Sequence, residues 1–484
     1  MFTAVIDSLL IGAFLIPLIS YLEDKFRLNK IKELFSTTLL VSTMYFTYRL
    51  YEIVTEQGPI MMPLPFSQFG TSFKIDLLSV FLSFLIAFIG LLAIIFSIKY
   101  MERDTGLTQY YTCMVLMIAG MIGTVFSSDF LTFFIFWEIM CIASYTLVAF
   151  RKKNWEPVEA GLKYSVMSSS GSVFILMGMS YLYWITGTLN FTGIAQASHS
   201  LAQNSLGLPL SLIFMVIGFG ITAAIVPFHT WLPDAHPAAP SPVSSLLSGV
   251  VIKMGIYGLI RVIIPIFNPI QPTLQTMLTL LAVLSMFLGN LMALLQTDLK
   301  RLLAYSSIAN IGYIVLGLSL GTNSGLIGSI FHVLNHALIK GLLFMISGAF
   351  LYATGTRNFK LLTGIGRKMR VSGTLFTIAT LAIIGVPPFN GFMSEMYIIK
   401  ACIETNAYIL VVLMLVNIVI SAAYYLRTMY LIIFRIPKIT NVKDIPMTML
   451  APMIILATSC VIIGVFPHPF IALIEKAAST ILLV

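Results

Sequence analysis

Residues 218–261, GFGITAAIVPFHTWLPDAHPAAPSPVSSLLSGVVIKMGIYGLIR, constrain the fold more than any other part of the chain. Both flanks are apolar enough for lipid, but the middle holds Pro227, His229, Asp234, His236, Pro237, Pro240 and Pro242. Proline lacks the amide that a helix interior uses and clashes with the preceding turn, so a helix entering this stretch must break. Broken backbone at membrane depth is stable only where protein or water covers it. A broken helix lined with ionisable groups points to an ion pathway. The alternative is a re-entrant structural turn capped by His and Asp.

Composition places the break in a membrane. The chain is 58% hydrophobic and only 10% charged, where a soluble domain carries about 25% charge. It reads as an all-α polytopic membrane protein. A span needs about 20 apolar residues, and fourteen such runs can be drawn, at roughly 3–21, 32–55, 75–99, 108–127, 129–150, 160–186, 206–248 (broken), 249–267, 272–296, 300–320, 323–353, 371–404 (broken), 406–434 and 446–475. The first run begins almost at once and has no cleavage-type site, so no removable signal peptide is expected. Cys113, Cys141, Cys402 and Cys460 lie in or beside apolar segments at unrelated spacings and read as packing residues.

The net charge of +9 sits in short loops and is no nucleic-acid signature. Alternate loops carry Lys25, Arg27 and Lys30; Lys99 and Arg103; Arg151, Lys152 and Lys153; Lys300 and Arg301; Arg357, Lys360, Arg367, Lys368 and Arg370; then Arg435, Lys438 and Lys443. The intervening loops are almost bare. The positive-inside rule makes the basic set cytoplasmic and puts both termini of a plasma-membrane protein outside. No loop is long enough for a soluble domain, so redox or nucleotide chemistry would belong to a partner.

The chain repeats itself. SSDFLTFFIFWEIMCIASYTLV resembles QTDLKRLLAYSSIANIGYIVLG, matching Asp129 with Asp298. AGLKYS around Lys163 resembles HALIKG around Lys340, and IVPFHTWLPD resembles GVPPFNGFMSE, which carries Pro387, Pro388 and Glu395. Broken segments at corresponding places in two halves mark repeat-built transporters. The organisation expected is 1–128 as four N-terminal spans, 129–267 as a first five-helix repeat with its break near 227–242, and 268–299 as a connecting helix. A second repeat at 300–434, broken near 385–395, and a C-terminal helix at 435–484 complete it. Equivalent helices are separated by an odd number of spans, so the repeats are inverted.

Several ionisable residues fall inside these runs. Glu138, in FFIFWEIM, must be protonated, hydrated or paired there, as a proton acceptor or as half of a static ion pair. Lys253 and Lys340 lie within spans, where desolvation lets a lysine lose its proton. Lys163 is near a span end and can snorkel to the surface. His332, His336 and Lys340 recur every four residues and share one helix face, which suits proton hand-over. No third metal ligand is near in sequence, and no metal site is expected. Glu395 follows the second break, either as a proton-exit carboxylate or as a helix-ordering group. Asp76 and Asp298 begin apolar runs and read as helix caps.

Taken together, FFIFWEIM, VPFHTWLPDAHPAAPSPVSSLLSGVVIKMGIYGLIR, DLKRLLAYSSIANIGY, HALIKGLLF and GVPPFNGFMSE resemble one family over nearly the whole chain. It is the antiporter-like membrane subunits of respiratory complex I, of Mrp-type sodium/proton antiporters (their D-type subunit above all), and of membrane-bound nickel–iron hydrogenase and sulfane reductase complexes. The resemblance implies fourteen helices, two inverted five-helix repeats, and half-channels joined by a mid-membrane charged row. It implies that Glu138 pairs with a lysine of the first broken helix, that Lys253 bridges, that Lys340 with His332 and His336 forms the second half's centre, and that Glu395 is the terminal ionisable group. The lysine usual five residues before Pro227 is Thr222 here. Lys253 or Lys163 then pairs with Glu138, or Thr222 serves as a neutral ligand to a cation or water, or the first half is inactive.

The function expected is proton, or sodium/proton, translocation within a multisubunit membrane complex, driven by a partner's redox step or an opposing ion gradient. The chain itself is expected to hold no cofactor. Iron–sulfur clusters or a nickel–iron centre would sit in partner subunits. The competing readings are a structural membrane-arm subunit with an inactive first half-channel, and an independent small-molecule porter.

Overall fold

The computed structural model describes residues 3–64, 70–201, 207–439, 442 and 444–482. Lys443 and residues 202–206 of the bare loop lie outside this set. Apart from one short hairpin the chain is helical. The helices are α1 (Ala4–Phe26), α2 (Ile31–Gln57), α3 (Leu77–Tyr100), α4 (Leu107–Phe126), α5 (Phe130–Val148), α6 (Trp155–Thr186) and α7 (Phe191–Leu201). There follow α8 (Gly207–Ala223), α9 (Leu232–Ala238), α10 (Ser241–Ile266), α11 (Asn268–Leu294), α12 (Leu299–Ser319) and α13 (Asn323–Thr354). The chain ends with α14 (Ile365–Lys368), α15 (Arg370–Ile384), α16 (Asn390–Glu404), α17 (Tyr408–Phe434), α18 (Met447–Val465) and α19 (His468–Leu482). Eleven of the described helices are long and apolar enough to cross a membrane: α1, α3 to α6, α10 to α13, α17 and α18.

The structure moves three features from where sequence places them. A two-stranded antiparallel hairpin, β1 (Ile60–Pro63) with β2 (Ser72–Ile75), joins α2 to α3, so the fold is not wholly α. The eighth run starts at Ser241 rather than 249: α10 is one helical run, with wider π-type turns at 247–251 and 259–263. Pro242 falls in its first turn, where a missing amide costs nothing. The last expected run divides at Phe466 into α18 and α19.

Asp76 and Asp298 cap their helices as expected, and Asp129 caps a third. Asp76 forms a reciprocal capping box with Ser79, Asp129 accepts from the Thr132 amide at 2.8 Å, and Asp298 accepts from the Arg301 amide at 3.1 Å. Each cap satisfies an amide that the helix leaves free. The last two aspartates also anchor matching bridges. Asp129 pairs with Asn190, and Asp298 with Asn358, in isolated antiparallel pairings. The flanking bonds correspond: Phe130 N to Leu189 O, and Leu299 N to Arg357 O, both 3.0 Å. The loops that make them read TGTLNF and TGTRNF, and each follows a helix of 32 residues.

The first break spans residues 224–231 between α8 and α9 and contains a cis Val226–Pro227 bond. Its freed backbone groups are answered from nearby. The Val226 amide donates to Ser285 Oγ at 2.9 Å, and Trp231 Nε1 donates to the Ile221 carbonyl at 2.8 Å. Trp231 is itself fixed by stacking on Tyr164, ring centroids 3.9 Å apart. The second break lies between α15 and α16, with a cis Pro387–Pro388 bond. Asn335 and Asn390 close it: Asn335 Nδ2 donates to the Asn390 carbonyl at 2.8 Å, and Asn390 Nδ2 to Asn335 Oδ1 at 3.0 Å.

The centre of the molecule is α10, α12 and α13. Every residue of α12 but Arg301 is buried, and α13 is buried from Gly325 to Phe350. Side chains there meet protein on all sides, not lipid. α12 approaches α11 through Gly312, where a β-carbon would lie 2.7 Å from the Met286 amide nitrogen. Removing the partners that close the first break should loosen it. Ser285→Ala leaves the Val226 amide unpaired in a dry interior, a cost of about 1–3 kcal/mol, and Trp231→Phe removes one of the two donors to the Ile221 carbonyl, which keeps only the Ala224 amide at 3.1 Å. Both variants are expected to lower the apparent thermal unfolding midpoint in detergent, and a midpoint equal to wild type would contradict this account of the break.

Candidate functional site

α13 carries His332, His336 and Lys340 one turn apart, all buried. The imidazole centroids of the two histidines lie 6.1 Å apart. From α10, Lys253 Nζ reaches His336 Nδ1 at 2.6 Å and also touches the Ser248 carbonyl. One proton can sit on either side of the lysine–imidazole contact, because both groups bind a proton reversibly.

His332 is set between two helices. Its Nε2 faces Asn310 Oδ1 on α12 at 3.1 Å, and its Nδ1 faces Ser394 Oγ on α16 at 3.0 Å. Asn310 donates its own amide to Ser306 O, so its oxygen accepts and Nε2 carries a hydrogen. Ser394 Oγ also lies 3.0 Å from the Gly391 carbonyl. When Nδ1 is bare, the hydroxyl hydrogen points to it; when Nδ1 is protonated, the hydroxyl turns to Gly391 and accepts. Rotation of one hydroxyl therefore fits both protonation states of His332.

Lys340 has only neutral partners. Its Nζ donates to the Leu303 carbonyl at 2.9 Å and to Tyr425 Oη at 3.1 Å, and Tyr425 shares a 2.7 Å bond with Ser306. Among the described residues no carboxylate is within ion-pair distance of Lys253 or Lys340. Glu395 is buried next to Ser394, at the foot of α16. It packs on Gly385 of the second break, where a β-carbon would lie 2.9 Å from its carboxyl carbon. The ring of Tyr313 stands edge-on to His332 at 6.0 Å. The structure thus sets Lys253, His336, His332 and Ser394 in one buried polar row, with Glu395 the next residue of α16 after Ser394.

The first break contributes differently from expectation. His236 is fully buried and stacks on Phe344 with centroids 4.4 Å apart. Neither ring nitrogen meets a hydrogen-bond partner. Thr222 is buried in α8; His229 is half-buried; Pro227, Pro387 and Pro388 are exposed. Asp234 turns to the surface, where it pairs with Lys163 at 3.1 Å and Arg301 at 3.4 Å.

Glu138 does not find the cation expected for it. It accepts a hydrogen bond from Ser172 Oγ. Lys163 is half-exposed and held by Glu159 and Asp234, and Lys253 is committed to His336. The match of Lys163 with Lys340 is also out of register: Lys163 is the ninth residue of α6, whereas Lys340 is the eighteenth of α13, each counted from the helix start. Ser172 is the eighteenth residue of α6, as Lys340 is of α13.

Sequence reasoning passed over Asn310, Ser394, Tyr425, Lys300 and Arg261. The first three are polar side chains in apolar helices, a signal that was there to be read. Lys300 was counted as a loop charge but is buried, donating to the Ala239 carbonyl at 2.8 Å. Arg261 forms a buried ion pair with Asp76 at 2.6 Å, so the aspartate is both a cap and a counter-ion. Ser394→Ala removes the hydroxyl that follows the His332 proton. It is expected to slow ion transport by roughly fivefold, the value of one hydrogen bond, with normal assembly; unchanged transport would show that the hydroxyl has no part in it.

Known proteins show the same architecture. Residues 127–421 match the family profile described as NADH:quinone oxidoreductase/Mrp antiporter, and residues 62–111 match the one described as the N-terminus of chain 5 of complex I. The NADH-quinone oxidoreductase subunit N of Desulforudis audaxviator is 35% identical over 422 residues, covering 83% of each chain. The D-type subunit of a Na(+)/H(+) antiporter from Alkalihalophilus pseudofirmus is 30% identical over 375 residues, covering 77% of this chain and 75% of that one. Among solved structures, a chain of the archaeal membrane-bound sulfane sulfur reductase superposes with a TM-score of 0.89 at 29% identity, over 99% of this chain and 97% of that one. A chain of the Mrp complex from a Dietzia species gives 0.86 at 21% identity, over 99% and 97%, a likeness of fold.

Proposed function

The chain belongs to the NADH:quinone oxidoreductase/Mrp antiporter family, and from that premise we propose that it is an ion-translocating subunit of a multisubunit membrane complex. The observation that carries the proposal is the buried row Lys253–His336–His332, made of groups that exchange protons and held without counter-ions. A charge arriving at one end changes the proton affinity of its neighbour, since like charges in low dielectric interact strongly. Successive shifts carry the displacement along the row toward Glu395. Lys340, braced by Tyr425 and the Leu303 carbonyl, is the second cation that feels each shift.

In this reading the chain crosses the membrane fourteen times: α8 with α9, and α15 with α16, each make one broken span, and α2 adds a span to those above. Residues 129–267 and 300–434 are then two inverted repeats. The matched Asp–Asn bridges, the two 32-residue helices and the two breaks support this. The basic loops face the cytoplasm, both termini lie outside, and the membrane is the plasma membrane. The chain works without a cofactor of its own; any iron–sulfur or nickel–iron centre belongs to partner subunits.

Glu138 supports a partner. It lies on a face of α5 where Ile135 and Ile142 are 52% and 51% exposed. A half-buried acid at that depth needs more cover than one serine, and a neighbouring membrane subunit would supply it. The ion moved is a proton, with sodium as a candidate counter-ion.

The test is transport by the assembled complex. Lys340→Ala and Glu138→Ala are each expected to abolish proton pumping or antiport while the complex still assembles. Full transport in both assembled variants would refute the assignment. Thr222→Lys adds a separate outcome: if the neutral partners of Glu138 are the working arrangement, a lysine there pins the carboxylate and lowers transport. A rise in transport would mean that the first half is impaired by its threonine.

A further inference from the structure

We propose that the groove between α4, α5 and α6, at the basic face of the membrane, binds an anionic phospholipid. Its phosphate sits at Lys152 and Lys153, and one acyl chain lies along Tyr145, Val158 and Leu162. The groove has a volume of about 920 Å³ and is lined by the 104–109 loop, the 149–154 loop and the first turns of α6.

The two ends of the groove differ in chemistry. At the loop end, Arg151 is already neutralised: its Nε and Nη2 each meet Asp104 at 2.9 Å, and its guanidinium lies over the Tyr100 ring. Lys152 and Lys153 are exposed, and among the described residues neither has a carboxylate partner. They leave unspent positive charge at the mouth of the groove. Further in, the walls turn apolar, and Leu162 is 64% exposed. The lining continues to Ser165, ten residues beyond the start of α6. At a helical rise of about 1.5 Å per residue this is a depth of about 15 Å, half of a hydrocarbon core of about 30 Å. Trp155, 74% exposed, marks the headgroup level, where amphipathic aromatic rings settle. A cationic mouth over an apolar slot one leaflet deep fits a phosphate ester with a hydrocarbon tail.

The positive-inside rule accounts for basic residues in this loop, but not for an apolar slot beneath them. Nor does the repeat require the loop. The equivalent connection between α12 and α13 is only Leu320, Gly321 and Thr322, without a cation. A partner subunit fits this mouth less well, because lysine is depleted at protein–protein contacts and unpaired lysines would be buried there at a cost.

The experiment uses the purified complex, stripped of lipid and held in phosphatidylcholine, titrated with phosphatidylglycerol. Retained lipid is read by native mass spectrometry and stability by the thermal midpoint. Wild type should bind phosphatidylglycerol saturably and gain stability. The double variant Lys152→Ser with Lys153→Ser, which alters only exposed side chains, should lose affinity by about tenfold or more. Leu162→Asp should lose it with the headgroup site intact. Equal binding by the double variant and wild type would overturn the proposal. So would an equal gain from glycerol phosphate, which would make this a free-phosphate site, or cross-linking of Leu162→Cys to a neighbouring subunit instead of to lipid.

Discussion

Backbone polar groups at membrane depth must find their partners within the protein, and this rule shapes the structure where its helices break. Where the backbone breaks, Ser285 and Trp231 answer one amide and one carbonyl at the first break. Asn335 and Asn390 bind each other across the second. Where a charge is needed for structure, as in Asp76 and Arg261, it is paired. The lysines of the central row are the exception. Lys340 and Lys253 are stabilised by carbonyls, a phenol and an imidazole. A proton held only by dipoles responds to any charge that arrives nearby, and that response is the physical basis of the proposed transport.

Two stretches of the chain share local landmarks but not the same charges. The same aspartate cap, the same bridge to an asparagine and the same long helix recur in each. Yet the eighteenth residue of the long helix is Ser172 in one and Lys340 in the other, and that serine is the partner of Glu138. Thr222 adds a second neutral residue on the broken helix. Glu138 thus has a hydroxyl partner and faces an open side of α5, whereas Lys253 and Lys340 are both held in the core.

Much of this was legible in the sequence. Proline clusters located both breaks, because a proline in a helix interior removes an amide and clashes with the preceding turn. The four-residue spacing put His332, His336 and Lys340 on one face. What composition could not show is which helix that face meets. Lys253 and His336 are 83 residues apart, and their contact depends on how α10 packs on α13. The start of α10 was misplaced because Ser241 and Pro242 look like a continuing break, although Pro242 sits where a first turn tolerates it. The pairing of Lys163 with Lys340 rested on short apolar similarity that slips by nine residues. The TGTLNF and TGTRNF loops, with glycine at φ +70° and +74°, were the better landmarks. Lys300 looked like a loop charge because it follows the cap Asp298, but helix geometry turns it inward.

The central claim is that a proton moves between Lys253 and His336. It is tested most directly by measuring proton translocation in vesicles containing the whole complex with Lys253→Met, a substitution that keeps length and removes the protonable group. The account predicts an assembled complex whose ion transport is lost, while any chemistry in partner subunits continues or slows without pumping. Transport at the wild-type rate in that variant would contradict it.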